Sequence, residues 1–448
     1  MKIFNDLLLQ FEQSNWARDP QLALIDTLLN KHPELYKILQ NDILKDTKSN
    51  ELGRKDTPSI EQIVRAGIYK EIKKMDYREL EYAQFDSKIC SLFIKLDYRQ
   101  PFSFQLFQKY ISRISAENLH KFMVELNIIA INEGLEDIQK IRQDSTVIKT
   151  NIHYPTNNSI IWDCIKESHR LLTQLKEECD INPRNYTKSA KKTYFKINTT
   201  KSTDKRVKLF KKQLETFTKS INQVSNYVKK KVSTIEGMLI INSLEELLPL
   251  MQQVFEMSYK KEILSESVPN NEKLFSIYEL YTDIIVKGSR DVQFGHKVNF
   301  AGGKSNLILD CTIHRGNPSD KKLYQPTLDR VIENYQHIPR DITTDGGYAS
   351  LGNVAYSQKL GVKNIVFNKI VGSLQNVTSS KRMATTLKRW RSGIEAVISN
   401  LKRGYGLRVC NWKGWEHFQS KVLWSTIAYN IRVMTSKVLE VFIQPATI

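Results

Sequence analysis

From about residue 290 onward, short strand-like runs alternate with helical patterns, and one more strand-like run stands alone far upstream. The downstream runs are Val292–Phe300, Asn306–Ile313, Asp341–Thr344 and Asn364–Phe367. A helical pattern at Lys322–Tyr335 lies among them, and long helical patterns come after them at Arg382–Lys402 and Trp415–Val438. Strands interleaved with helices point to an α/β core. The lone run, IQKIRQDSTVIK at residues 139–150, is cut off from the rest by a helical stretch from about Ile160 to Leu264. The chain is therefore expected to build one α/β domain from residues 136–158 and 286–448. Residues 159–285 then form an insertion into it, mainly α-helical.

Residues 1–135 read as all-helical. Asp76-Tyr-Arg-Glu79 is a capping-box pattern, in which the aspartate caps the helix and the glutamate reaches back to it. Thr57-Pro58 reads as another helix start, with Pro58 at the first helical position. Ile60, Ile63, Val64, Ile68 and Ile72 then fall on one helical face. Such a segment is either an ordinary helical core or a small DNA-binding module.

The formal net charge of +19 narrows the partner class. A basic chain of 448 residues with 41% hydrophobic residues has the means to fold and the charge to meet polyanions. No run of about 18 apolar residues exists to cross a membrane. The N-terminal MKIFNDLLLQFEQSNW is too acidic for a secretion signal. Nucleic acid is left as the expected partner, with no membrane. Cys90, Cys164, Cys179, Cys311 and Cys410 are scattered and never paired as CxxC, which excludes a zinc finger and suits a reducing cytoplasm.

Most of the excess charge is local. Between Arg184 and Lys231 there are 15 Lys or Arg against two acids, Asp204 and Glu215. Arg184, Lys191, Lys192, Lys205, Arg206, Lys208, Lys211, Lys212, Lys229, Lys230 and Lys231 are the candidate DNA-binding side chains. Aromatic residues are interleaved with them. A charge run of this kind is either a solvated face or a phosphate-contacting surface. If the latter, its contacts release counterions and position DNA without reading sequence.

Three acids stand out by context. Asp144 sits inside a strand-like run, where a lone aspartate is disfavoured and calls for a reason. Asp345 ends Asp341-Ile-Thr-Thr-Asp345 and is followed by Gly346-Gly347, which permits a sharp exit and close backbone approach. Carboxylates at strand ends of α/β sheets commonly line a crevice. Glu395 lies in the helical pattern RWRSGIEAVISNLKR. On one continuous helix, Arg391, Glu395 and Lys402 project within about 40° of one another. That pattern suits a metal ligand beside two phosphate-gripping cations, and equally an exposed helix with an i,i+4 ion pair. Asp310 in its own strand-like run, and Asp341, are rival ligands. His153 and His314 flank the candidate strands and read as structural.

Together these blocks resemble the DDE transposases of bacterial insertion sequences, the cut-and-paste superfamily with a ribonuclease H-like catalytic domain. Asp144-Ser-Thr-Val with Asn151-Ile-His-Tyr154-Pro155-Thr156 resembles the first-aspartate block. Ile-Thr-Thr-Asp345-Gly-Gly-Tyr348 resembles the second. Arg391-Ser-Gly-Ile-Glu395 with Lys402 resembles the third, and Arg403-Gly-Tyr405-Gly406-Leu407 is similar to the run just after that glutamate helix in many such enzymes. Gly316-Asn317-Pro-Ser-Asp320 looks like an intervening block, and Tyr77-Arg-Glu-Leu80 resembles the N-terminal transposase domain. Lys388 stands where some relatives carry a tyrosine, and Asn157 where others carry an aspartate.

The resemblance implies a ribonuclease H-like core, a mixed sheet flanked by helices, behind an all-α N-terminal domain and with a helical insertion. It implies catalytic Asp144, Asp345 and Glu395 holding two Mg²⁺ or Mn²⁺ ions, assisted by Arg391 and Lys402. The implied partners are double-stranded DNA, both the element's terminal inverted repeats and the target, and a second copy of the chain on DNA. The implied place is the bacterial cytoplasm, at the nucleoid when DNA-bound. A nuclease that cuts without joining, or an inactive transposase-derived DNA-binding protein, would carry much of the same pattern.

Overall fold

The computed structural model describes residues 18–45, 57–96, 100–287, 291–370 and 374–443. The N-terminal segment read for a secretion signal lies outside the described residues. The chain divides into two compact units, one of residues up to Asn151 together with those from Ile285 onward, the other Ile152–Ile284.

The first unit opens with helices α1 (Pro20–Lys31), α2 (Glu34–Leu44), α3 (Ile60–Lys73), α4 (Tyr77–Asp86), α5 (Lys88–Phe93), α6 (Phe104–Ser112) and α7 (Ala116–Asn132). Asp76 and Glu79 form the expected reciprocal cap at the start of α4. The start of α3 differs from the expectation. Ser59, with Gln62, makes the capping box, so Pro58 lies before the cap and not at the first helical position. A serine hydroxyl that can accept from Gln62 N wins over the proline signal. Within α3, Ile63, Val64 and Ile68 are buried.

Strand β1 (Lys140–Thr150) comes next; farther along the chain are β2 (Asp283–Lys287), β3 (Asp291–Gly302) and β4 (Ile308–His314). Helix α8 (Asn157–Glu178), α9 (Thr187–Thr199), α10 (Thr203–Tyr227) and α11 (Ile235–Glu262) make up most of the second unit. The chain continues with α12 (Asp320–Tyr335), β5 (Asp341–Asp345), α13 (Leu351–Lys359), β6 (Asn364–Asn368), α14 (Lys381–Arg391), α15 (Gly393–Gly404), β7 (Val409–Cys410) and α16 (Trp415–Ile443).

The strands form one mixed sheet in the order β2-β3-β1-β5-β6, with β4 paired to β3 and β7 to β1. β3 runs antiparallel to β1 and β4, whereas β5 and β7 lie parallel to β1, and β6 parallel to β5. Apolar residues of the sheet and α12, such as Ile141, Leu309, Leu328, Ile342 and Phe367, share one core. α16 packs along α7 and α3 through buried residues that include Trp424, Ile427 and Ile431. The N-terminal helices therefore share a compact unit with the sheet. This mixed sheet flanked by helices is compatible with a ribonuclease H-like transposase core.

The long helix expected over Arg382–Lys402 is in fact two, α14 and α15, broken at Ser392. The Trp390 carbonyl at this elbow accepts from Arg142 Nη1 at 2.6 Å. A Cβ on Gly393 would lie 2.0 Å from that same Nη1. Arg391 thus ends one helix and Glu395 lies in the first turn of the next, yet Ser392 between them keeps a helical backbone and Arg391 still pairs with Glu395 at the i,i+4 spacing, as expected of one face. Of Arg391, Glu395 and Lys402, only the last two share α15.

In the second unit, Ile161, Leu172, Phe217, Leu244 and Val254 are among the residues of an apolar core. No helix among the described residues is long and apolar enough to cross a membrane. None of the five cysteines forms a disulfide among the described residues.

Candidate active site

β1 is flanked on one edge by two short parallel strands that leave a gap. β5 pairs with Lys140–Gln143 and β7 with Lys149–Thr150. Asp144 is the first residue past the β5 pairing, opposite Phe300 of β3 on the other edge. Asp345 is the last residue of β5. The two aspartates therefore come together where one strand ends and its neighbour carries on. Gly346 then turns the chain against β6: a Cβ there would lie 2.5 Å from the Lys369 carbonyl oxygen, so close approach is what this glycine provides. Glu395 sits in the first turn of α15.

One guanidinium joins all three carboxylates. Arg391 Nη2 donates to Asp144 Oδ2 at 2.8 Å and lies 4.0 Å from Asp345 Oδ1, while Nη1 donates to Glu395 Oε1. The side-chain exposure is 7% for Arg391, 17% for Asp144, 44% for Asp345 and 59% for Glu395. Burial pushes the Asp144 carboxyl up to about 6, with Asp345 and Glu395 adding to the rise and Arg391 opposing it. No group of three His, Cys, Asp or Glu side chains among the described residues is arranged to hold a metal ion.

Arg142, two residues before Asp144, ties the strand to the α14–α15 elbow. Its guanidinium lies 4.7 Å from the Trp390 ring centroid and donates to both the Trp390 carbonyl and Asn306 Oδ1. Burial pulls its pKa down to about 10. On the other side of Asp144, Ser145 Oγ donates to Asp320 Oδ1 at 2.8 Å, and Lys297 Nζ donates to the same oxygen at 2.8 Å. The motif at Gly316–Asp320 thus delivers a fourth acid beside the first-aspartate strand. Sequence reasoning did not single out Arg142 or Lys297, since neither belongs to a recognisable spacing, and Ser145 entered only as part of the Asp144-Ser-Thr-Val block.

The rival acids are engaged elsewhere. Asp310 is fully buried and accepts from Arg330 Nε at 3.1 Å and Nη2 at 2.8 Å. Burial raises its pKa, but hydrogen bonds from His120 and Arg330 outweigh it and leave the carboxyl low. Asp341 is held by Arg340 and Asn364. His153 pairs with Asp163 at 2.5 Å in the second unit, and His314 lies 3.1 Å from Thr312 Oγ1. Lys402 is half-buried in the last turn of α15, about 10 Å along the axis from Glu395.

All eleven candidate DNA-binding residues of the second unit are exposed. Arg184 precedes α9, Lys191 and Lys192 lie on α9, Lys205 to Lys212 lie on α10, and Lys229–Lys231 come after it. The buried side of α10 is Phe210, Leu214, Phe217 and Val224, so its lysines are left to solvent. Sequence reasoning passed over α14, whose Lys381, Arg382, Lys388 and Arg389 are also exposed, with no acid on the helix.

No curated protein and no solved structure matches the chain. Residues 289–431, about a third of its length, match the model of the family described as "Transposase DDE domain". The segment contains Asp345, Arg391, Glu395 and Lys402, and β1 brings Asp144 to it from outside. This match supports a DDE transposase.

Proposed function

We propose that this protein is a DNA transposase that cuts DNA at the ends of a mobile element and joins the freed 3′-OH to target DNA. The observation that carries the reading is the gathering of Asp144, Asp345 and Glu395 around one guanidinium. Arg391 is a cation seated among carboxylates that come from three separate elements. An all-oxygen, anionic donor set of this kind fits Mg²⁺ or Mn²⁺. Asp144, Asp345 and Glu395 would hold two such ions in place of the guanidinium. Bound there, the metal supplies charge stabilisation for the attacking and leaving oxygens of an in-line displacement.

The chain's own residues set the rest. Water attacks the phosphodiester that joins the element's 3′ end to the flanking strand. The bond between phosphorus and the element's own O3′ breaks, so the flanking strand keeps the 5′-phosphate and the element's strand is left with a free 3′-OH. That hydroxyl attacks a target phosphodiester, so one P–O bond forms as another breaks. Arg391 and Lys402 contact phosphate oxygens, Arg391 through a planar fork suited to bidentate pairing. Arg142 holds the elbow that fixes Arg391 and Glu395 relative to β1. The exposed cations of the second unit bind the terminal repeats through their phosphates. Joining two ends in concert requires two copies of the chain on DNA.

The test is a donor-plasmid excision assay in Mg²⁺ with Asp144→Asn, Asp345→Asn and Glu395→Gln. Each is expected to abolish excision, and wild-type excision by any one of them would remove that residue from the site. Strand transfer from a pre-cleaved end is expected from the intact protein. Its absence alongside normal cleavage would leave a nuclease.

A further inference from the structure

Arg391 sits among the carboxylates proposed to hold metal. Its Nη2 takes Asp144 Oδ2 and lies near Asp345 Oδ1, and its Nη1 takes Glu395 Oε1. Both occupants need the same carboxylates. A guanidinium bonded to Asp144 and Glu395 and a divalent ion held by the same carboxylates compete on grounds of space and of like charge.

Leaving the site is costly for Arg391. The side chain is almost wholly buried, and its Nε has no hydrogen-bond partner among the described residues. Abandoning the carboxylates without a replacement would strand a buried cation. The backbone offers no relief, because the residue before it is anchored by Arg142 through the Trp390 carbonyl. A phosphate oxygen is the one replacement of equal chemistry, since the fork that fits a carboxylate also fits a phosphate.

The geometry points to Arg391 as a built-in placeholder cation: in the DNA-free protein it neutralises the three carboxylates and keeps divalent metal out, and a DNA phosphate draws it off. Metal loading and DNA phosphate binding are then coupled, each strengthening the other by the same factor. The protein without DNA is held in a metal-poor form that cannot cut at random. This inference rests on the proposed metal site at Asp144, Asp345 and Glu395, and its test separates the two.

The measurement is Mn²⁺ binding to the full-length, DNA-free protein, counted as loss of the free-ion electron paramagnetic resonance signal. No catalysis is involved. Arg391→Gln is expected to bind Mn²⁺ about tenfold or more tightly than wild type, within the usual range of coupling factors. The double variant Arg391→Gln, Asp144→Asn is expected to lose that gain. Arg391→Lys, which keeps one charge but not the fork, is expected to fall between wild type and Arg391→Gln, and stands in for the glutamine variant should that one fail to fold. Equal Mn²⁺ affinity in wild type and the Arg391 variants, lost on Asp144→Asn, would overturn the placeholder role and leave the metal site standing. No Mn²⁺ binding by any variant at millimolar ion would overturn both.

Discussion

Positive charge is used in two opposite ways in this protein. The second unit spreads its cations over α9, α10 and the flanking loops, exposed and, among the described residues, without a salt bridge at the eleven candidate positions. The first unit hides a few cations and gives each a fixed partner: Arg142 against the α14–α15 elbow, Arg391 among three carboxylates, Lys421 and Lys70 on Glu71. Exposed charge acts through number and is screened by salt. Buried charge acts through geometry, because removing one partner leaves the other desolvated and alone. Substitutions in the first unit should therefore have large, specific effects, and those in the second small, additive and salt-dependent ones.

The largest contrast is expected at Asp144. Asp144→Asn should lower excision by at least about 10³-fold, roughly 4 kcal/mol of barrier, while the melting temperature stays near wild type. Loss of excision together with collapse of the fold would instead make Asp144 a structural residue, and circular dichroism melting distinguishes the two.

Next comes the buried pair that joins α3 to α16. Glu71 accepts from Lys421 Nζ, from Lys70 Nζ at 3.0 Å and from Ser425 Oγ at 3.0 Å. Burial alone would raise its pKa, but Lys421 and Lys70 outweigh that and hold the carboxyl at about 2 against an ordinary 4.5. The folded-state value is depressed, so the stabilisation is fully present above pH 4.5 and is lost as pH falls from there toward 2. Glu71→Gln should cost on the order of 3–5 kcal/mol at neutral pH, and the gap to wild type should narrow below pH 4.5 and close toward about 2. A gap that stays constant from about pH 7 to about pH 3 would show that charge pairing is not the source.

A smaller effect is expected at the elbow. Gly393→Ala places a methyl against the Arg142 guanidinium. The displaced arginine should destabilise the fold by about 1–3 kcal/mol and shift Glu395 relative to Asp144. Excision should fall more than stability predicts. An unchanged excision rate in the folded variant would mean that Arg142 supports the fold without positioning the site.

The same division decided what the sequence disclosed. Strand β1 and the runs from β3 to β6 were legible, since alternating or continuous apolar patterns report burial directly. So were the acids at strand ends and the cap at Asp76, where a local motif carries the physics. The α14–α15 break was not, because the backbone carbonyl beside it bonds to Arg142 from 248 residues away, while RWRSGIEAV taken alone is a sound helix. β2 and β7, at five and two residues, are too short to show a period. Arg391 was singled out for phosphate or for an i,i+4 ion pair with Glu395, and that pair is present, whereas its approach to Asp144 and Asp345 emerges only when distant segments meet. Ser59 rather than Pro58 starts α3 because two helix signals stood side by side and side-chain capping prevailed.

The smallest effect is expected on the open face of α10, and it is the one that tests number against geometry. Lys212 is exposed and has no ion pair among the described residues. Lys212→Gln should leave the melting temperature unchanged. It should weaken binding to duplex DNA of any sequence by a similar small factor, because a phosphate contact does not read bases. If Lys212 neutralises one phosphate, the slope of log affinity against log salt should fall by about 0.9. Adding Lys205→Gln and Lys208→Gln should lower the slope in further, roughly equal steps, as expected of independent contacts. A single substitution that abolished binding, or three that left the slope untouched, would erase the distinction. The first would mean that this face holds a specific contact of the buried kind, and the second that its charge serves only to keep the helix in water.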